Sequence, residues 1–441
     1  METISTLDNY FMEQYLSKGL QKVMPDYTPL MSEVPFVGGS EKAGSELVFP
    51  LLTSREHGFT ALGQTGSQNS LRSATTAQNR QARVKSFGFM GRTQIDSLSI
   101  SRAVGSPQAF VDAVQYKIEN LQESFAVCNE IMLSYGQEGL GVTASGTEAD
   151  GTYGGNVFTN GVNVASRLIK IASKDFADHV WIGSEGMPIQ IYASNAAGVA
   201  SILDATITSY DIENEWIQVD GLGGLTDIQG AYIYRAGFKD NEGPGLLRIL
   251  KQSASSTPLF EVPSSNTPLW RTSQYNCADQ FLSFEMVADG VARAVGRGLA
   301  DQITLHCHPM TMASMFPDFN TLKATGTEFK SRYFVSGGET KQLEHGTVGL
   351  RFYVGSVTLD VVANPFVRKG YAYGVASGEL RRAGSSDITY DVPGEEKARY
   401  FHRLENTAAV ELRIFADQTL FSLSLNKHIL FSNIKTELPT A

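Results

Sequence analysis

From residue 106 to residue 135 the apolar positions Val111, Val114, Ile118, Leu121, Phe125, Cys128, Met132 and Tyr135 recur at alternating spacings of three and four. That spacing lines one face of a helix and cannot line one face of a strand. At about 1.5 Å of rise per residue such a helix is roughly 45 Å long, longer than most globular helices. Ser106 suits the N-cap, Pro107 suits the first helical position, and Gly136 is the expected stop. Ahead of this helix, the pattern over 46–103 predicts a long hairpin. Its outgoing strand is Glu46 to Thr53. Its return strand runs from about Val84 to Ser101, with alternation at Phe87 and Phe89 and again at Ile95, Leu98 and Ile100. The segment between them, Arg55 to Arg83, is rich in Ser, Thr, Gln, Asn and Gly. A structureless stretch of that length is uncommon inside a compact domain, so a projecting functional loop is expected.

Residues 1–45 predict an arm. A helical pattern over Leu7–Val23 is broken by Pro25, and Tyr27–Gly44 is expected to be extended and to need another surface for order. After the long helix, Gly136–Gly161 predicts a glycine-rich linker. Short strands follow at Leu168–Ile171, Pro188–Tyr192, Ala205–Tyr210, Trp216–Val219 and Ala231–Arg235, spaced as in a small β-barrel or sandwich insertion. A second helix is expected over Asp279–Val295, facing inward with Leu282, Met286, Val287, Val291 and Ala294. Strand Ile303–His306 leads to a helix beginning at Pro309, and strands are expected at Val348–Val354 and Val357–Val362. Val410, Leu412 and Ile414 alternate with Glu411 and Arg413, which predicts a half-exposed strand. Helices mixed with antiparallel strands place the chain in the α+β class.

Composition narrows the function. The 441 residues are 42% hydrophobic and 19% charged, which excludes wholesale disorder. A net charge of −10 argues against a chain that neutralises nucleic acid along its whole surface. No run of about 18 apolar residues occurs, so no membrane-spanning helix is expected. The first residues lack the basic-then-apolar order of a secretory signal. Cys128, Cys277 and Cys307 are odd in number and scattered, which fits reduced thiols.

Candidate chemistry is thin. Gly136-x-x-Gly139-x-Gly141 follows a helix, whereas a dinucleotide loop follows a strand and opens a helix. His306-x-His308 places two imidazoles on one strand face with Cys307 opposite. Zinc needs about four ligands and no second cluster lies nearby, so a strand-to-helix corner is expected and no metal. No acid/base pair or nucleophile elbow stands out, so no catalytic residue and no cofactor are expected. Methionines 286, 310, 312 and 315 read as core fillers. The loop carries Arg55, Arg72, Arg80 and Arg83 against Glu56, a net charge of +3 on an acidic chain. These five residues are the candidate intersubunit contacts. Lys85, at the loop base, reads as a surface lysine on a strand.

The order of elements resembles that of tailed-bacteriophage major capsid proteins with the Hong Kong 97-like coat fold. It is carried by Val48–Ile100 as the extended loop and Pro107–Tyr135 as the spine helix. It is also carried by Trp216-Ile-Gln-Val-Asp-Gly through Gly230-Ala-Tyr-Ile-Tyr-Arg-Ala-Gly237 as a β-rich insertion, by Thr267-Pro-Leu-Trp-Arg271, and by the strand-then-helix unit Ile303–Phe316. The resemblance implies an arm (1–45), an extended loop (46–103), a peripheral domain with the spine helix (104–164), a β-rich insertion (165–240), an axial domain returning to the periphery (241–395) and C-terminal peripheral strands (396–441). It further implies a virion location, with assembly in the host cytoplasm into hexamers and pentamers. The shell would enclose double-stranded DNA without reading its sequence and would meet portal, decoration and scaffolding proteins. In some such shells a loop lysine is cross-linked to a neighbour's asparagine, the role that Lys85 would take. Only about 45 residues precede the hairpin, so a cleaved scaffolding segment is not expected here and a separate scaffolding protein, or none, is. A bacterial nanocompartment shell shares the fold and is the alternative. A β-rich carbohydrate-active enzyme is the third reading and would need a carboxylate pair in a cleft.

Overall fold

The computed structural model describes residues 29–37, 46–61, 71–96, 107–300, 302–315, 350–354, 357–394, 400–404 and 409–436. The expected arm helix over Leu7–Val23 and the Ser106 cap lie outside these residues. The arm enters as a short helix, Pro29–Glu33, and strand β1, Phe36–Val37. The segment is therefore partly helical where an extended run was expected. It does lie on another surface: Leu30, Met31 and Val34 are buried, and β1 runs parallel to Arg382–Ala383.

Strands β2 (Glu46–Leu52) and β3 (Asn79–Lys85) pair in antiparallel register, Glu46 opposite Lys85 and Leu52 opposite Asn79. The return strand differs from expectation. It breaks at Ser86, and β4 (Phe87–Asp96) leaves the hairpin to join a different sheet. There it pairs along ten residues with β21 (Ala409–Ser422). A single alternating run thus serves two sheets, because the chain changes partner where the hairpin meets the body.

The long helix spans Pro107–Tyr135. Ile118 and Phe125 face the β4–β21 sheet, and Phe125 stacks on Phe89 with ring centroids 4.4 Å apart. Gly91 permits this approach, since a Cβ there would lie 2.9 Å from both Phe125 and Ile414. From Phe125 onward no residue of the helix is exposed. The arm helix and a short helix, Leu246–Leu250, pack against it, so this half is buried all round, where one buried face was expected. The helix ends at Gly136, but Gln137, with φ of 67°, is the residue in the left-handed region. Gly136 is needed for space instead, because a Cβ would sit 2.1 Å from the Gly243 carbonyl oxygen.

The expected linker 136–161 is built into the fold, with Leu140, Ala144, Ala149 and Phe158 in the core. Its strand β5 (Gly141–Val142) starts a seven-stranded sheet, and β6 (Gly151–Tyr153) and β7 (Asn156–Phe158) pair as a separate hairpin. The other strands of the seven are β8 (Val162–Asn163), β9 (Leu168–Lys170), β10 (Pro188–Tyr192), β11 (Leu203–Asp211), β12 (Trp216–Val219) and β13 (Tyr232–Arg235), in the order β5-β13-β10-β11-β12-β9-β8. The Thr143–Ile171 bridge joins β5 to β9 and closes six of these strands into a small barrel. All five strands expected between 168 and 235 form, and the barrel takes its first strand from before residue 165.

A third, six-stranded sheet contains β14 (Ser273–Gln280), β15 (Ile303–Cys307), β16 (Leu350–Val354), β17 (Val357–Ala363), β18 (Tyr371–Val375) and β22 (Ile429–Ile434). The second helix is shorter than expected, Phe284–Val295, because β14 occupies the sequence before it and Ser283 caps its start by accepting from the Met286 N–H. It buries Val287, Val291 and Ala294 against this sheet. Strand β21 is not half-exposed. It has β4 on one side and, on the other, β20 (Phe401–Arg403) beside Val410–Leu412 and β19 (Leu380–Thr389) from Phe415 onward, and Glu411 on its second face is buried beside Arg413 at 2.6 Å.

Candidate intersubunit contact surface

The β2–β3 loop leaves the body from a tightly held base. Leu47, Ala82 and Val84 are buried beneath it, and Phe49 packs on Phe421 and Trp270 with centroids 5.5 and 6.3 Å away. The Arg83 N–H donates to the Phe260 carbonyl at 3.0 Å. Lys85 Nζ reaches Glu261 at 3.3 Å and Glu46 at 3.4 Å, and Arg83 Nε reaches Glu261 at 3.7 Å. Lys85 is thus an exposed strand lysine held between two carboxylates of its own chain. Past the ladder the two limbs stay joined, the Thr53 N–H donating to the Gln78 carbonyl at 2.9 Å and the His57 N–H to the Thr75 carbonyl at 3.3 Å.

The five expected contact residues do not form one cluster. Arg83 belongs to the base and Arg80 lies on β3, paired with Leu51 across the ladder. Arg55, Glu56 and Arg72 lie beyond the ladder on the exposed loop. The charge beyond the ladder is therefore +1, smaller than the +3 read from the whole segment. The apolar residues are what the sequence reading passed over. Leu52 is 67% exposed, Phe59 79% and Leu71 79%. Isolated exposed apolar side chains are ordinary, but three on one projecting loop mark a surface suited to association. A polar majority around them masked the signal.

Behind the loop, buried charges join the barrel to the body. Arg368 is wholly buried. It donates to Asp175 at 2.7 Å and to the Gly139 carbonyl at 2.8 Å, and lies over the Tyr135 ring. Lys369 and Lys170 share Glu215, at 2.8 and 3.0 Å. These contacts raise the Arg368 pKa further and hold Glu215 below the usual carboxylate range against a burial penalty of opposite sign. Glu130, near the C-terminal end of the long helix, accepts the N–H groups of Leu30 and Met31 at 2.9 Å each and so fastens the arm.

The two expected histidines are separated by their partners. His306 Nε2 lies 3.2 Å from Glu33 of the arm, and His308 Nε2 lies 3.1 Å from Asp178. Among the described residues no group of three potential metal ligands converges. The three cysteines are unpaired and buried, and burial pushes each thiol pKa upward. Gly139 and Gly141 line the barrel-to-body seam, not a phosphate loop. A cleft beside the barrel is lined by Tyr232, Tyr234, Tyr371, Lys239, Arg248 and Lys251. Its two acids are each taken by a lysine, Glu138 by Lys251 at 2.7 Å and Asp240 by Lys239 at 3.2 Å.

No protein-family model matches the sequence, and no curated protein matches it either. Solved structures do. The capsid asymmetric unit of cyanophage A-1(L) matches at a TM-score of 0.50 and 9% identity, over 92% of this chain and 93% of that one. An encapsulin complex from Synechococcus elongatus matches at 0.42 and 9% identity, over 95% of this chain and 93% of that one. The capsid of a Myoviridae phage, XM1, matches at 0.40 and 8% identity, over 92% and 91%. At such identities a likeness speaks for fold alone. Arm, projecting loop, long helix, barrel and two further sheets give this chain the Hong Kong 97-like coat fold, of the α+β class.

Proposed function

We propose that this chain is a major capsid protein, a non-enzymatic subunit that assembles into the icosahedral head shell of a tailed bacteriophage and encloses its double-stranded DNA. One observation carries the reading. The loop presents Phe59 and Leu71 to solvent beyond β2–β3, and Leu52 at the outer end of β2, while its base is locked by buried side chains and ion pairs. A rigidly mounted loop with apolar residues uncovered by its own chain is suited to seat on another copy. Repeated heterologous contacts of this kind close into rings. Many weak contacts then make a stable container, because each added one is effectively intramolecular. The cyanophage capsid fold supports the reading.

The finer picture belongs to the same proposal. Rings are hexamers and pentamers, Arg55, Glu56, Arg72, Arg80 and Arg83 contribute to contacts between copies, and portal, decoration and scaffolding proteins are separate chains. Assembly takes place in the host cytoplasm, and the shell holds DNA without reading its sequence. The divisions are taken as the sequence suggests them, arm 1–45, loop 46–103, peripheral domain 104–164, insertion 165–240, axial domain 241–395 and C-terminal strands 396–441, with β5 and β8 joined to the insertion. Expression followed by electron microscopy tests the proposal. Closed polyhedral particles of uniform size are expected, and a chain that stays monomeric at all concentrations would overturn it. Cargo protein instead of DNA in native particles would favour the nanocompartment.

A further inference from the structure

The turn Leu259–Val262 is held in an unfavourable conformation. The Val262 N–H donates to the Leu259 carbonyl at 3.1 Å, and the two central residues, Phe260 and Glu261, have φ of 54° and 64°. Positive φ at both central positions defines the primed turn for which Asn-Gly is the usual sequence. A bulky residue there persists only where its surroundings over-determine it. Here the surroundings are the base of the projecting loop. The Leu259 carbonyl accepts the Trp270 indole N–H at 3.2 Å, and the Trp270 ring lies against Phe49 of β2. The buried Phe260 offers its carbonyl to the Arg83 N–H of β3. Glu261 reaches Arg83 and Lys85 of β3, and Lys85 also reaches Glu46 of β2. The four-residue turn therefore holds β3 directly, by backbone and charge, and reaches β2 through Trp270 and Lys85.

We infer that the Leu259–Val262 turn is a brace that sets the angle at which the β2–β3 loop leaves the body, with Glu261 as its positioning residue. The left-handed pair aims the Phe260 carbonyl at β3 and carries the Glu261 carboxylate along the same strand. Ion pairs this exposed are individually weak. Mounted on a turn that also holds a backbone hydrogen bond, they oppose tilting of the hairpin. A second copy would then meet the loop at a defined angle, and for that consequence alone the inference rests on the shell reading.

Two substitutions separate a brace from a merely tolerated turn. Glu261→Gly relieves the positive φ and removes the carboxylate. Glu261→Gln removes the charge and keeps the strain. Both are read first by amide hydrogen exchange of residues 46–52 and 79–85 in the full-length, unassembled chain. Exchange about fivefold faster is expected in both variants, with the unfolding midpoint of Glu261→Gly at or above that of the unsubstituted chain. Shells from both are then expected to lose their uniform diameter in electron micrographs. Unchanged exchange together with uniform shells in Glu261→Gly would overturn the brace. If either variant fails to fold, Arg83→Gln/Lys85→Gln removes the cationic partners at exposed positions and must show the same acceleration. An unsubstituted chain that forms no shells would defeat the shell reading and leave the exchange result to judge the brace alone.

Discussion

Glu130 is a carboxylate buried inside the long helix, and burial raises its pKa to about 7 despite two N–H donors from the arm. Glu242, buried and receiving the Gln137 N–H, is raised to about 8. In each case the folded chain keeps a proton that the unfolded chain has lost, so the stability they contribute is full below about pH 4.5 and is lost as pH rises through 7 and 8. For Glu130 the difference is on the order of 3 kcal/mol. Glu130→Gln mimics the protonated acid, so urea unfolding of this variant should show a flatter fall in stability between pH 5 and 8. His428 acts in the opposite direction. Its Nδ1 accepts the Ala376 N–H and burial lowers its pKa to about 4, so its contribution is lost as pH falls from 6.5 through 4. Arg368→Met strands Asp175 and the Glu138 and Gly139 carbonyls and should cost about 3 to 5 kcal/mol. A smaller cost after adding Asp175→Leu would show that the pair acts as a unit. None of these roles was legible in the sequence, where Glu130 is one polar position in a helix and Arg368 one cation among many.

At the scale of elements, the long helix was legible because a three-four spacing of apolar residues has one geometric solution. The strands of the barrel were legible because each is short, β-branched or aromatic, and bounded by turns. Reading failed where one run serves two partners, as at Ser86, and where strand sequence precedes a helix, as at β14. It also failed for the rich glycine content of 136–161, where Gly136 and Gly139 permit close backbone approach and Gly146, Gly154 and Gly155 make left-handed turns, instead of forming a flexible linker. Two substitutions test the helix–sheet contact. Phe125→Asp places an unpaired charge against Phe89 and should leave no soluble subunit in an expression assay. Gly91→Val forces the helix from β4 and should destabilise by about 1 to 3 kcal/mol, read by thermal unfolding.

For the molecule as a whole, the loop is expected to be removable without disturbing the body. Thr53 and Gln78 are hydrogen-bonded neighbours, so replacing 55–76 by a two-residue turn should keep the melting temperature within a few degrees yet abolish closed particles in electron micrographs. Uniform shells from that deletion would show that the loop is not the contact between copies. The class of the fold, its long helix, its barrel strands and a projecting loop follow from spacing and turn chemistry along local stretches of chain. Which strands share a sheet, and which face of β21 is covered, emerge in the folded chain alone. There too the +3 segment divides between a clamped base and an exposed stretch carrying Phe59 and Leu71, and Phe260 and Glu261 are bent into a strained turn beneath it. Those outcomes depend on partners that lie far apart in the chain, and local pattern carries no record of which distant group a side chain will meet.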